Sequence, residues 1–222
     1  MTKNPPSLKR QLARLGVAIG VGVSIFYLAL VWWCANEMAS PTRRAVNASH
    51  LAFFDDTAKA GFVVEEFVSS DGMPCLVCTP VHVGEFSKRA GIIRGQLEEM
   101  GVALKPPGEI VGTLLILHGR KGIKEDYLAV AERFCAVGFR CVIPDLPGHG
   151  GNPEPFTTYG VREAPIILKC YSEAAEKFGF SEQPCGVFGQ SMGGRKPCMS
   201  LPWRILRLLR WWSLLHSINW TR

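Results

Sequence analysis

A serine with a glycine two residues away on either side is the residue of this sequence best suited to covalent chemistry. It lies in the segment Gly189-Gln190-Ser191-Met192-Gly193. Such a segment between a strand and a helix predicts a tight turn that holds the hydroxyl clear of the backbone, where it can attack an acyl carbon. The helix that follows would aim N–H groups at the resulting oxyanion, the first of them that of Met192. Ser191 is therefore a predicted nucleophile, and the alternative for so short a pattern is a glycine-rich turn.

Two further motifs precede this serine, each at the end of an apolar run. The run Ile110 to Leu117 leads into His118-Gly119-Arg120-Lys121-Gly122, and the run Arg140 to Pro144 leads into Asp145-Leu146-Pro147-Gly148-His149-Gly150. The set LHGRKG, PDLPGHG and GQSMGG, in this order and spacing, resembles the α/β-hydrolase superfamily. It is most similar to the monoglyceride-lipase and serine-aminopeptidase-like branch, and the resemblance covers residues 62 to 194.

The resemblance implies a role for each matching residue. Ser191 would be the nucleophile, the backbone N–H groups of Met192 and Arg120 would bind the oxyanion, and Gly189, Gly193 and Gly119 would be the elbow and loop glycines. The histidines of the two upstream motifs, His118 and His149, would be architectural. The expected substrate is a small carboxylic ester or related acyl compound, and neither a cofactor nor a metal is expected.

The family supplies its acid and then its histidine after the serine. Here 31 residues follow Ser191, and they include no Asp or Glu and one histidine, His216. The resemblance is thus to the N-terminal half of the family, and a serine without its base is a poor nucleophile. Two functions are weighed: a membrane-anchored serine hydrolase, and a catalytically inactive truncated fragment or non-enzymatic binding module.

The tail at residues 195–222 differs in composition from the chain before it. It contains six Lys or Arg, no acidic residue and four of the six tryptophans. Pro197 would break the helix that should follow the elbow. The tail is interpreted as the product of a truncated or frame-shifted gene, and the alternative is a basic aromatic helix on a membrane surface over residues 203–218.

Alternating strand and helix patterns lead up to the elbow. Phe62–Phe67 and Pro74–Pro80 read as a hairpin joined by Ser70-Asp71-Gly72. Helices are predicted over 87–100, over 125–137 and through Ile167, Tyr171, Ala174 and Phe178, and Cys185 to Gly189 reads as the last strand. The predicted fold is α/β: a truncated α/β-hydrolase fold with a mostly parallel sheet, an N-terminal antiparallel hairpin and a single transmembrane helix in front.

The N-terminal region contains a run of 22 uncharged residues, Leu15 to Asn36, which as a helix would span a bilayer. Lys3, Lys9, Arg10 and Arg14 precede it, so the predicted orientation has the N-terminus in the cytoplasm and the hydrolase-like domain outside. No register after the run suits signal-peptide cleavage, which favours a retained single-pass anchor.

Charge and cysteine patterns exclude other classes of function. Outside the tail, 19 basic residues balance 19 acidic ones, so no footprint for nucleic acid is expected. Cys75 and Cys78 would lie on opposite faces of one strand, which argues against a zinc site.

The predicted organisation is a tail and anchor over 1–36, a linker over 37–60, a partial hydrolase domain over 61–194 and the atypical tail over 195–222. Homo-association is expected through the sheet edge or the transmembrane helix.

Overall fold

The computed structural model describes residues 7–54, 61–81, 88–183 and 185–194. The predicted tail at 195–222, with His216, lies outside the described residues. The chain divides after Ser40 into two units. The described part of the first unit is one long helix, and that of the second is a mixed α/β sheet with its covering helices.

Helix α1, Leu8–Ala39, forms the first unit and has 32 residues. At a rise of 1.5 Å per residue it is about 48 Å long, which is more than the hydrocarbon layer of a bilayer requires. No side chain in it is buried, and the Ser24 hydroxyl donates to the carbonyl oxygen of Gly20 at 2.9 Å. Its length and composition suit a membrane span or a signal sequence. The helix continues past residue 36, where the anchor was predicted to end, because Glu37, Met38 and Ala39 all favour helix although Glu37 ends the uncharged run.

The segment predicted as a linker, residues 37–60, is structured over part of its described length. Helix α2, Ala48–Phe54, lies within it. Two arginines and a histidine fasten it to loops of the second unit, because the arginine fork can reach several acceptors at once. Arg43 donates to the carbonyl oxygens of Gly150, Asn152 and Glu154, while Arg44 and His50 contact the Asp126 carboxylate at 2.9 and 3.1 Å.

One five-stranded sheet, ordered β1-β2-β4-β3-β5, forms the centre of the second unit. The strands are β1 Phe62–Val68, β2 Pro74–Pro80, β3 Gly112–Leu117, β4 Phe139–Pro144 and β5 Cys185–Gly189. The predicted hairpin is present, with β1 antiparallel to β2. Strand β2 is also antiparallel to β4, and β3 is parallel to both β4 and β5. The described sheet is therefore mixed rather than mostly parallel, because the hairpin joins the parallel strands through an antiparallel pair.

Four helical segments connect these strands: α3 Lys88–Glu99, a 3₁₀ turn at Lys124–Tyr127, α4 Leu128–Ala136 and α5 Glu163–Lys177. Side chains of α4 and α5 belong to separate core clusters on the two faces of the sheet. The predicted opposite placement of the two strand cysteines is confirmed, since Cys75 lies in the cluster under α5 and Cys78 in the one under α4.

The connections that follow β3 and β5 leave toward opposite faces of the sheet. After β3 the chain enters the cluster under α4, which contains Tyr127 and Leu128. After β5 it enters the cluster under α5, which contains Met192. Where neighbouring parallel strands diverge in this way, a crevice opens at their carboxyl ends, and open α/β sheets bind ligands there. This crevice lies between the loop at His118 and the turn at Ser191.

Strand β5 lies at one end of the sheet order, so its outer edge has no partner strand among the described residues. Homo-association through this edge or through α1 stays a prediction. Within α1, a Cβ added at Gly16 or Gly20 would meet nothing within 4 Å.

Candidate active site

Ser191 occupies a sharp turn directly after β5. Its φ is +51°, a left-handed conformation that costs a non-glycine residue roughly 1–3 kcal/mol and is concentrated at functional sites. Two hydrogen bonds close the turn. The Gly193 N–H donates to the carbonyl oxygen of Gln190 at 2.9 Å, and the Gly194 N–H donates to the carbonyl oxygen of Ser191 at 3.0 Å. The Ser191 side chain is exposed, and helix begins at Met192. The segment therefore has the strand, turn and helix that the sequence predicted.

The two glycines of the elbow are required by contacts with backbone atoms. A Cβ on Gly189 would lie 2.5 Å from the carbonyl group of Gly193. A Cβ on Gly193 would lie 2.2 Å from the carbonyl oxygen of Leu117 and 2.6 Å from that of His118. The first contact closes the elbow on itself, and the others press the elbow against the end of β3. Side chains at these positions would therefore displace Ser191 from the crevice.

The loop after β3 contacts the elbow. A Cβ on Gly119 would lie 3.4 Å from the carbonyl oxygen of Gln190 and 3.7 Å from the Ser191 Cβ. The Gln190 N–H also donates to the carbonyl oxygen of Leu117 at 3.2 Å. The predicted glycine is thus beside the serine, and the exposed Arg120 follows it in the same loop.

This loop is a tight turn of its own. The Gly122 N–H donates to the carbonyl oxygen of Gly119 at 3.1 Å, and Lys121 has a φ of +61°. A positive φ at the third position is the mark of a type II turn, where glycine is the usual residue. A lysine held in this conformation is a second point of backbone strain at the crevice.

Met192, the other predicted source of an oxyanion N–H, starts the helix after the elbow. Its side chain is 4% exposed and packs in the cluster under α5. The Thr157 hydroxyl contacts its sulfur at 3.9 Å. Burial of this side chain fixes the first turn of the helix and so the direction of its N–H groups.

Neither motif histidine has the environment of a free base. The His118 ring is fully buried, its Nε2 accepts the N–H of Leu146 at 3.0 Å, and its Nδ1 therefore donates to the carbonyl oxygen of Gly119 at 2.8 Å. Both of its nitrogens are committed to holding the two motif loops. The His149 ring is also buried, packs edge-on against that of His118 at 5.1 Å, and its Nδ1 contacts the carbonyl oxygen of Pro147 at 2.9 Å.

A buried ion pair, which the sequence analysis did not assign, supports the same loops. The Asp145 carboxylate is 1% exposed, and it accepts the Lys124 N–H at 2.8 Å, the Lys124 ammonium at 3.3 Å and the Gly151 N–H at 2.9 Å. Burial lowers the pKa of Lys124, but its hydrogen bond to Glu125 and the charge of Asp145 outweigh that effect, and the net pKa is raised. The pair joins the loop after β3 to the loop after β4.

Glu163, at the start of α5, was also missed. Its carboxylate is 1% exposed and accepts hydrogen bonds from the loop that contacts Met192. The donors are the hydroxyls of Thr157 and Thr158 and the N–H groups of Thr158 and Gly160. A glutamate at the first helical position was the visible signal, since carboxylates are favoured there.

Within the described ranges, no three His, Cys, Asp or Glu side chains form a group that could hold a metal ion. The seven cysteines in those ranges are free.

Comparison with protein-family models and with curated proteins gave no match. Among solved structures, an esterase of Pyrococcus furiosus is similar over 71% of this chain and 50% of its own, at 18% identity and a TM-score of 0.45. A thermostable carboxyl esterase of Bacillus coagulans matches 60% of this chain and 37% of its own, at 18% identity and a TM-score of 0.39. The α/β hydrolase GrgF of a Penicillium species matches 60% and 38%, at 19% identity and a TM-score of 0.35. This chain spans half or less of the length of these proteins.

Proposed function

We propose that this chain is a serine hydrolase of the α/β-hydrolase type, which acts on small carboxylic esters or related acyl compounds through Ser191. The observation that carries the proposal is the strained Ser191, at φ +51°, in the crevice between β3 and β5. A strained backbone at a polar residue does not stabilise the fold. At the ligand-binding end of a sheet such strain is typical of a functional residue. The glycines on either side, which admit no Cβ, hold this strain in place.

In the proposed reaction the Ser191 oxygen attacks the acyl carbon and loses its proton to a general base. The carbonyl oxygen becomes an oxyanion, which the N–H groups of Met192 and Arg120 bind. Collapse of this intermediate expels the alcohol, which takes up the proton, and leaves an acyl-serine ester. Water then attacks the ester, the acid is released, and Ser191 regains its proton.

His118 is not the base in this scheme. The Nε2 lone pair of His118 already accepts the Leu146 N–H, so taking up a proton there would break a buried hydrogen bond and bury a charge. Retention of the elbow without a functioning base would instead give the inactive fragment or binding module.

An active-site probe separates the two functions. Fluorophosphonate should label the full chain in detergent, and Ser191→Ala should remove the label completely, because the hydroxyl is the attacking group. Ser181→Ala, at another exposed serine, should leave labelling unchanged. Absence of label on the wild-type chain would sink the enzyme proposal and favour the inactive one.

We further propose that α1 is a retained single-pass anchor, with the N-terminus in the cytoplasm and the second unit outside. Its 32 residues include no buried side chain, and the Ser24 hydroxyl is satisfied within the helix, as a bilayer demands. Lys9, Arg10 and Arg14 lie at its N-terminal end, on the side where cations favour the cytoplasm.

Translation with sealed microsomes tests this arrangement. The chain should keep its full length, resist carbonate extraction and be protected from added protease, because the anchor holds the second unit in the lumen. Replacing Lys3, Lys9, Arg10 and Arg14 with glutamate should reduce the protected fraction. A shortened product released by carbonate would identify α1 as a cleaved signal sequence. Digestion of the full-length chain by the added protease would indicate the opposite orientation.

A further inference from the structure

A tyrosine hydroxyl links the elbow to the chain that follows β3. Tyr127 ends the 3₁₀ turn before α4 and is 6% exposed. Its hydroxyl donates to Oε1 of Gln190, the residue before the serine, at 2.5 Å. The two residues are 63 positions apart in sequence, so this bond joins two separate segments of the site.

The phenol is held as a donor by its surroundings. Burial raises the pKa of Tyr127, a hydrogen bond from the backbone of Gly119 lowers it, and the charge of Asp126 raises it, with a raised pKa as the result. The phenol thus stays protonated at neutral pH and meets both the Gly119 backbone and the Gln190 side chain. These two residues directly precede Arg120 and Ser191 in the chain.

The main chain of Gln190 is already fixed at both of its polar groups. Its N–H donates to Leu117, and its carbonyl oxygen accepts the N–H of Gly193. The side chain is exposed apart from its contact with Tyr127. The bond joins the buried Tyr127 phenol to the exposed Gln190 side chain. It therefore orients the elbow more than it stabilises the core.

We propose that Tyr127 is a positioning residue of the oxyanion site. Its hydroxyl sets the distance between the loop that contributes the Arg120 N–H and the elbow that contributes the Met192 N–H. This inference rests on the proposed hydrolase function. Oxyanion stabilisation depends on where both donors lie when charge develops, so loss of the hydroxyl acts on the chemical step and not on substrate binding.

A purely structural role for the hydroxyl gives a different result. Tyr127→Phe keeps the ring that packs in the cluster under α4. Water can reach the exposed Gln190 amide and replace the lost bond, so the melting temperature should hardly change. Displacement of a reacting group by about 1 Å can lower a rate about 100-fold. A fall in rate at constant stability therefore identifies positioning.

The test measures ester hydrolysis and fluorophosphonate labelling of the full chain in detergent. Tyr127→Phe should lower kcat and the labelling rate by about 10- to 100-fold, with KM and Tm near the wild-type values. Gln190→Ala removes the same bond from the exposed side and should give a similar fall. The double variant should be no slower than Tyr127→Phe, because that variant has already lost the bond to Gln190.

Tyr171→Phe is the matched control, since Tyr171 is also buried and its hydroxyl donates to the carbonyl oxygen of Glu182 at 2.9 Å. It should leave the labelling rate unchanged. Wild-type rates in Tyr127→Phe would overturn the positioning role, and so would a rate loss in the double variant equal to the product of the two single losses. In either case, Ser191-dependent labelling of the wild type would still support the hydrolase function. Failure of the wild type to label would overturn both.

Discussion

Replacement of Gly193 with alanine should prevent the elbow from forming. The added Cβ would lie 2.2 Å from the carbonyl oxygen of Leu117 and 2.6 Å from that of His118. Both atoms belong to the backbone at the end of β3, so no side-chain rotation relieves the overlap. The elbow must move away, and the hydrogen bond from Gln190 to Leu117 is then lost. We expect a loss of stability at or above the upper end of the usual cost of overpacking, about 3 kcal/mol, and no fluorophosphonate label.

The same substitution in an open position provides the control. Gly95 lies within α3, and a Cβ there would meet nothing within 4 Å. Alanine should stabilise this helix by about 0.5–1 kcal/mol, because glycine loses more backbone entropy on folding. Thermal unfolding of both variants measures the contrast. If Gly193→Ala melts with the wild type and is labelled at the same rate, the close approach of the elbow to β3 is not a feature of this protein.

The order of elements could be predicted from sequence because each one has a strong local pattern. Strands β2 and β5 have the predicted bounds, and β3 begins two residues later than predicted. The helical pattern over 125–137 places Tyr127, Leu128 and Phe134 on one side, and all three are buried. These elements form the sheet or pack directly on it, so burial and sequence periodicity carry the same information.

Helix α3 shows where periodicity is a weaker guide. The sequence places Ile92, Ile93, Leu97 and Met100 on one helical stripe. Of these, Leu97 is buried, whereas Ile92 and Met100 are exposed by 53% and 43%. Ala90, outside the stripe, is buried as well, and Arg94 donates to the carbonyl oxygen of Ala136 at the end of α4. A helix that packs on another helix buries a narrower strip than one on a sheet, so small residues decide its orientation.

The elbow was predicted down to its glycines, whereas its supports were not. A G-x-S-x-G segment is a local signal, and the strained φ of Ser191 follows from it. The bond from Tyr127 to Gln190 and the ion pair of Lys124 with Asp145 join residues 63 and 21 positions apart. Which polar side chains meet at such sequence separations depends on how the loops pack together. No local sequence pattern predicts it.

The role of Arg43 was hidden for the same reason. In the sequence Arg43 is one of the first two cations after the apolar run, and no local pattern there indicates its contacts. In the structure its guanidinium bonds three carbonyl groups of the loop after β4. These carbonyls lie in a loop and not in a strand ladder, and a planar fork can bind several of them together. The segment after α1 is therefore part of the second unit and not a spacer.

Raising the pH above 9 should destabilise the second unit. Burial raises the pKa of three thiols, those of Cys75, Cys78 and Cys135, well above the ordinary value of 9.0. Above that pH these thiols ionise in the unfolded chain but remain protonated in the folded one, so the folded state binds more protons. The free energy of unfolding then falls as pH rises, by about 1.4 kcal/mol per pH unit for each thiol. Between pH 9 and 10 the three thiols together lower the free energy of unfolding by roughly 3–4 kcal/mol, when that free energy is typically about 5–15 kcal/mol. Denaturant titrations in the presence of reductant at each pH measure this decrease.

A pair of neighbouring substitutions on β2 isolates the thiol contribution. Cys78→Ala and Val77→Ala both truncate fully buried side chains, so both should lower stability at pH 7 through lost packing. Only Cys78→Ala removes a titrating group, and its stability should fall less steeply above pH 9, by about 1.4 kcal/mol per pH unit. Val77→Ala should keep the wild-type slope. Equal slopes in both variants would mean that the loss of stability above pH 9 does not come from the Cys78 thiol. Lys124 is not an alternative source in this range, because its raised pKa keeps its stabilising contribution until higher pH.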